Sequence, residues 1–272
     1  MSYTLSFARV AAMITRYLYL LRSSWPRILD LIYWPLVQML TWGFLQTYLL
    51  SGAPNNSGGR FALAAGVLIG SMLLWDILFR GQLGFSVSFL EEMWSRNIAN
   101  LLMSPLRPAE FVLSLMAMSI VRLSVGMVPV SLLAIVFFGF NLWGLGLALA
   151  AFFANLIFTS WSIGLVCSGL VLRYGLAAES LVWTIMFLLQ PLTCVFYPVT
   201  TLPVWLRSVS WMLPPTYVFE GLRELLSAHV LRLDLMGEAL VLNSVLFCCA
   251  FVAFLRLLRA ARRAGSVLQT GE

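Results

Sequence analysis

The chain contains no lysine; all 17 of its basic residues are arginine. A Walker-A loop uses a lysine to carry positive charge onto the β- and γ-phosphates, so this chain is not its own P-loop ATPase. A lysine Schiff base is excluded for the same reason. Histidine occurs once, at His229, and Cys167, Cys194, Cys248 and Cys249 stand in apolar surroundings with no CxxC pair. These are too few ligands for a zinc or haem site, and the cysteines read as small buried hydrophobes. No GxSxG elbow is present, and a serine nucleophile would have only His229 as its base. Charge of either sign is scarce: 10% of the 272 residues are charged, against about one quarter in a soluble domain.

Apolar residues make up 61% of the chain and the mean hydropathy is +0.93, the signature of an all-α polytopic membrane protein. A membrane helix needs about 20 mostly apolar residues, and residues 31–50, 61–79, 111–138, 142–172, 181–197 and 236–258 qualify as six spans. Residues 1–21 carry Arg9 and Arg16 inside their apolar pattern with no small-residue cleavage site, and are not read as a removed signal peptide.

Cytoplasmic loops are enriched in positive charge. With both termini inside, Arg9, Arg16, Arg22, Arg27, Arg80, Arg96, Arg107, Arg173, Arg256, Arg259, Arg262 and Arg263 are cytoplasmic, and only Arg60, Arg207, Arg223 and Arg232 lie outside. Arg122 falls within the third span. Two depths are open for it: deep in the bilayer, or interfacial and snorkelling if its helix first runs through cytoplasm. Asp76 and Arg80, spaced i,i+4, can pair near the inner end of the second span, and an Asp76–Arg122 pair is also open. Of the outer loops, residues 51–60 form a polar turn, 139–144 a tight hairpin, and 198–237 a long segment that is largely apolar.

Three segments are not plain spans. Ahead of the first span, Phe7, Val10, Ala11, Ile14, Leu18 and Leu21 recur at helical spacing, while Arg9, Arg16 and Ser23 repeat every seven residues on another face. This is an amphipathic helix along the inner surface, either a passive anchor with its arginines on anionic headgroups or a helix wedged between bilayer and partner. In "LEEMWSRNIANLLMSPLRPAEF", Leu90, Met93, Trp94, Ile98, Leu101 and Leu102 form one stripe, with Glu91, Glu92, Ser95, Arg96 and Asn100 on the rest of the cylinder. Glu92 and Arg96 are i,i+4 in the favourable order. Pro105 should end this helix by Met103, and Pro108 should open the third span. Lipid-facing helices favour Lys and Arg, so adjacent glutamates fit a protein surface better than lipid, with a solvated structural loop as the plain alternative. In the long outer loop, residues 202–211 and 216–228 read as two short helices dipping back from the outer face, with Glu220 and Arg223 or Glu224 on the wet side.

The order of these elements, with "NIANLLMSPLRPAEFVLS" inside and "PLTCVFYPVTTLPVWLRSVSWMLPPTYVFEGLREL" outside, resembles the ABC-2-type permeases, the membrane subunits of bacterial ABC exporters. The similarity covers essentially the whole chain, although family members usually carry Asn-Pro where this chain has Pro214-Pro215. The resemblance implies one permease domain over residues 1–272. Its parts are an entry helix (1–27), two spans (28–80), a coupling loop (81–108), three spans (109–199), outer re-entrant helices (200–235), a sixth span (236–258) and a cytoplasmic tail (259–272). It further implies a dimer of permeases, as a rule a homodimer, with two copies of a separate ATPase that carries ATP and Mg, in the bacterial inner membrane. No cofactor, metal or nucleic acid is expected on this chain. The inner helix at 91–103 would dock in a cleft of the ATPase through Glu91, Glu92, Arg96, Asn97 and Asn100, with Arg173 in "RYGLAAES" as the smaller second contact.

In that family the channel forms at the dimer axis between the first, second and fifth spans. Gln38, Thr41 and Trp42 on the first and Phe187, Gln190 and Thr193 on the fifth are its candidate lining here, with interhelical hydrogen bonding as the alternative. Asn155, Thr159 and Ser162 on the fourth span read as helix packing. The function expected is ATP-driven export of a drug, lipid, glycolipid or polysaccharide. An ion-coupled carrier needs acids at mid-bilayer, whereas Asp30, Asp76 and Glu179 sit near the inner edge, and an embedded enzyme lacks its catalytic inventory.

Overall fold

Proline, glycine and a left-handed arginine set the ends of the helices in the computed structural model, which describes residues 5–51 and 58–264. Ten α-helices run in the order α1 (Phe7–Arg22), α2 (Trp25–Ser51), α3 (Gly58–Trp94), α4 (Ile98–Met103), α5 (Pro108–Phe138), α6 (Leu147–Tyr174), α7 (Ser180–Leu192), α8 (Val204–Trp211), α9 (Pro214–Ala228) and α10 (Leu233–Ala264). Pro108 opens α5 as expected, and Ser104, held extended at ψ 163° ahead of Pro105, closes α4. Gly139 caps α5 in the left-handed conformation, and the Asn141 side chain accepts from the Gly144 N–H at 3.1 Å, which makes the tight hairpin into α6. The expected polar turn at 51–60 falls largely outside the described residues.

Among the described residues five helices, α2, α3, α5, α6 and α10, are long and apolar enough to cross a membrane. The fifth span, expected at 181–197, is a shorter element. α7 has 13 residues, about 20 Å at 1.5 Å per residue, against a hydrocarbon core of about 30 Å. Pro191 removes a backbone donor near its end, and Cys194 takes a positive φ of 54°, so the chain leaves the helix after Leu192.

The second span departs in the other direction. It was expected to stop near Phe79, yet α3 continues through Gly81 and Gly84 to Trp94, 37 residues in all. The glycines serve packing: a β-carbon at Gly84 would stand 3.0 Å from the Ser119 Cα of α5, and one at Gly81 would stand 2.7 Å from the Ser160 Oγ of α6. Lipid tails are as apolar as leucine, so helices in a bilayer associate through such close approach and through interhelical hydrogen bonds. α3 is accordingly the hub, in contact with α2, α5, α6, α7 and α9, and Phe85, Phe89 and Leu90 along it are fully buried. α10 packs most extensively on α6. Between them, buried Asn243 donates to the Asn155 carbonyl (3.0 Å) and Oδ1 (3.1 Å) and accepts from Thr159 Oγ1 (2.6 Å), so the α6 polar stripe is helix packing.

Candidate functional site

α3, α4 and α5 meet at one end of the helices, the tip, where the chain path differs from the single helix expected over residues 90–103. Leu90–Trp94 is the last turn of α3. Arg96 then adopts φ +53°, and α4 starts afresh at Ile98. The break rearranges the contacts expected of a continuous helix. Glu92 does not pair with Arg96; it accepts from Asn97 Nδ2 at 2.8 Å, while Asn100 Nδ2 donates to Asn97 Oδ1 at 3.3 Å. The apolar side of α4 turns inward: Ile98, Leu101 and Leu102, with Leu106 and Phe111, meet Leu172 of α6 and Phe254 and Leu258 of α10 around a small cleft. Left exposed at the tip are Trp94, Ser95, Arg96, Asn100, Met103 and Pro105.

Both glutamates of the motif point into the protein. Glu92, with no exposed side-chain surface, receives Arg16 of α1 through two hydrogen bonds of 2.5 and 3.1 Å. Glu91 bridges Arg122 of α5 at 2.7 Å and Arg27 of α2 at 3.2 Å. Arg122 packs beside Gly84 and sends its guanidinium along α3 to Glu91, and its partner is not Asp76, which contacts Arg80 at 3.7 Å in the buried middle of α3. A third acid, Glu110 in the first turn of α5, accepts from Arg9 Nε (2.8 Å) and Nη2 (2.5 Å), from the Ser6 N–H (2.9 Å) and from the Arg107 N–H (3.0 Å). Glu110 was missed in the sequence, where its position two residues after Pro108, the place of an N3 acid, was the available signal.

These pairs reverse the expected seating of α1. Its buried positions are Met13, Tyr17 and Leu21, with Arg9 and Arg16 on the protein-facing side, while Phe7 and Leu18 are exposed. The arginines reach carboxylates of α3 and α5, not headgroups. Hydrogen bonding to Glu92 is the main cause holding the Arg16 guanidinium above its ordinary pKa.

Beside this network a cavity of about 440 Å³ opens between α2, α3, α5 and α7. Trp34, Trp94 and Trp183 line it together with Arg27, Asp30, Arg80, Glu91 and Arg122. The candidate pathway residues lie further along the same helices. Gln38 is half-buried with an unpartnered Oε1, Thr41 is exposed and donates to its own helix at Val37, and Trp42 stacks on Phe196 at 4.3 Å. Phe187 is exposed and meets Phe79 at 5.9 Å between centroids, and Gln190 is half-buried. Thr193 is not brought to this face: it is buried, bonds back to Leu189, and lines a separate groove against α6 and α10. Arg173, half-buried beside Tyr174, lines a cavity with Arg256, Arg259 and Arg263 of α10.

On the opposite side Glu220 and Arg223 are structural, not wet. Arg223 donates to the carbonyls of Cys194 and Val195 and contacts Glu220 at 3.2 Å, and Glu220 accepts from the Val199 N–H at 2.7 Å. The pair thus satisfies the backbone that α7 releases, as buried backbone polar groups require. α9 begins at Pro214 and buries Pro214, Pro215, Val218, Phe219 and Leu222 against its neighbours, so the double proline serves as the start of the helix.

No curated protein matches the chain. The family model described as ABC-2 type transporter matches residues 12–226, from within α1 to within α9. That match takes in most of the arginine-tethered helix α1, the long apolar helices α2, α3, α5 and α6, the tip, α8 and most of α9, so the chain belongs to the ABC-2 type transporter family and is a multi-pass membrane subunit of ABC-type transport.

Proposed function

We propose that this chain is the transmembrane half of an ATP-driven exporter in a bacterial inner membrane, with both termini cytoplasmic. It moves an amphipathic or hydrophobic substrate outward: a drug, lipid, glycolipid or polysaccharide. The working unit is two copies of the chain with two copies of a separate ATPase, which binds ATP and Mg. The observation that carries this reading is the exposed inner tip, Trp94–Arg96–Asn100–Met103, joined to the transmembrane helices by buried ion pairs.

A docking element transmits force only if it cannot flex independently. Here the last turn of α3 is tied to α1 by Arg16–Glu92, to α2 by Arg27–Glu91 and to α5 by Arg122–Glu91. Displacement of the tip by a closing ATPase therefore moves the inner ends of four helices together, including three that wall the tryptophan-lined cavity. That cavity is the substrate entrance, and Gln38, Thr41, Trp42, Phe187 and Gln190 lie on its outward continuation. The outer helices α8 and α9 re-enter from the far side and close it. Within this scheme Arg96, Asn100 and Met103 contact the ATPase, while Glu91 and Glu92 position the tip.

Co-purification with the cognate ATPase tests the assignment. Arg96→Glu combined with Met103→Glu is expected to abolish the complex while the permease still elutes as a single folded species. A complex and transport activity that survive the double change overturn the docking assignment.

A further inference from the structure

A groove of about 500 Å³ runs between α6, α7 and α10, from Pro214 and Pro215 at its outer end to Leu170 and Ala253 at its inner end. Its walls are almost wholly apolar: Ile163, Val166 and Leu170 from α6 and Leu246, Ala250 and Ala253 from α10. From Thr159 to Leu170 it extends 11 residues along α6, about 16 Å at 1.5 Å per residue, which is the depth of one leaflet of a hydrocarbon core about 30 Å thick.

One turn beyond its inner end the chemistry changes. Arg173 follows Leu170 by three residues and Arg256 follows Ala253 by three, so both arginines continue the groove faces of their helices. With Arg259 and Arg263 they line a second cavity, of about 550 Å³. Among the described residues none of these four arginines has a carboxylate partner. The acids on this side lie elsewhere: Glu91 meets Arg27 and Arg122, Glu92 meets Arg16, Glu110 meets Arg9, Asp76 meets Arg80, Glu179 accepts from the Trp94 indole at 3.1 Å, and Asp30 lines the tryptophan cavity with Arg80. Four uncompensated cations at the mouth of an apolar groove call for a ligand with an anionic head and a hydrocarbon tail.

We infer that the α6–α10 face is a binding site for an anionic phospholipid, with one acyl chain in the Ile163–Leu170–Ala253 groove and the phosphate on Arg173, Arg256, Arg259 and Arg263. Arginine forms forked, charge-assisted hydrogen bonds to phosphate oxygens, and four of them in one cavity discriminate against a zwitterionic headgroup that carries its own cation. A second copy of this chain is disfavoured as the occupant, because a symmetric contact would set the two arginine clusters against each other. The groove shares no lining residue with the tryptophan-lined cavity: on α7, Trp183 faces that cavity while Leu181, Thr184 and Ile185 face the groove, so the site is distinct from the substrate entrance. That its leaflet is the cytoplasmic one rests on the orientation proposed above; the site itself makes Arg173 a headgroup ligand in place of an ATPase contact.

The test is native mass spectrometry of the full chain with phosphatidylglycerol or phosphatidylcholine of identical acyl chains. Wild type is expected to retain phosphatidylglycerol adducts preferentially, and Arg256→Gln with Arg259→Gln to weaken them about five-fold per arginine removed. Equal retention of the two lipids, or an unchanged preference in the double variant, overturns the proposal. Displacement by equimolar glycerol phosphate would also overturn it, because the site would then be one for soluble phosphate. As an independent readout, Cys249 lines the groove. In a Cys248→Ser background, phosphatidylglycerol should slow its reaction with a membrane-permeant maleimide more than phosphatidylcholine does, and equal protection refutes the headgroup assignment. ATPase co-purification is expected to be unaffected by Arg256→Gln/Arg259→Gln, so a failure here is separable from a failure of the docking assignment.

Discussion

Arg16→Ala and Glu92→Ala break the same ion pair, but the structure predicts unequal costs. Glu92 has no exposed side-chain surface, whereas the Arg16 side chain is 37% exposed. Truncating Arg16 strands a buried carboxylate whose remaining side-chain partner is Asn97 Nδ2 at 2.8 Å. Removing one partner of a buried pair costs about 3–5 kcal/mol, and the surviving Asn97 bond places this case near the lower end, about 3 kcal/mol. Truncating Glu92 leaves a guanidinium that can rotate into water, so the loss is that of a solvent-screened charge-assisted bond, about 1–2 kcal/mol. The double variant Arg16→Ala/Glu92→Ala should be more stable than Arg16→Ala alone, because no buried charge is left. Hydrogen–deuterium exchange over α1 reads this directly as local opening. About 3 kcal/mol corresponds to amides exchanging roughly 100-fold faster, and Glu92→Ala should give roughly 10-fold. Equal effects of the two single changes, or α1 protection unaltered by Arg16→Ala, would refute the buried-carboxylate reasoning.

Further expectations concern packing and the outer cap. A β-carbon at Gly126 would lie 2.5 Å from the Leu31 carbonyl oxygen, so Gly126→Ala should push α5 from α2 and lower stability by about 1–3 kcal/mol; an unchanged melting temperature contradicts that contact. Asn243→Ala removes three hydrogen bonds between α6 and α10 and should cost about 1 kcal/mol, as polar contacts within bilayers do, with a stabilised variant counting against the clamp. Arg223→Gln frees the carbonyls of Cys194 and Val195 and should expose buried Cys194 to thiol reagents. Labelling of Cys194 that stays at background in a Cys248→Ser/Cys249→Ser protein would show that Arg223 does not hold the segment.

Much of the helix plan was legible because proline and apolar period act locally. The start of α5 at Pro108, the stop of α4 before Pro105 and the hairpin at Gly139 each depend on residues within one turn. The length of α3 was not legible. Gly81, Gly84 and the polar residues after them resemble a span end, and only their close fit against α5 and α6 shows why the helix continues to Trp94. Glu91 and Glu92 read in the sequence as contacts for a separate protein, yet they meet arginines of this chain 31 to 76 residues away, beyond any periodicity argument. Glu92 and Arg96 have ideal helical spacing, and the left-handed turn at Arg96 removes the helix that would have joined them. Asn243 carries no local pattern at all; its role exists only because Asn155 and Thr159 face it across the α6–α10 contact.

The apolar composition and the arginine distribution by themselves determined that this is a multi-pass helical membrane protein, and with the local proline signals they gave the order of most of its helices. Those conclusions depend on the solvent each residue type tolerates, and a residue carries that preference wherever the chain takes it. Tertiary structure decided which charges meet. In a low-dielectric interior an ion pair is a property of two positions and of the burial around them, so the same arginines that read as headgroup anchors in α1 became the struts that hold the entry helix to the inner tip.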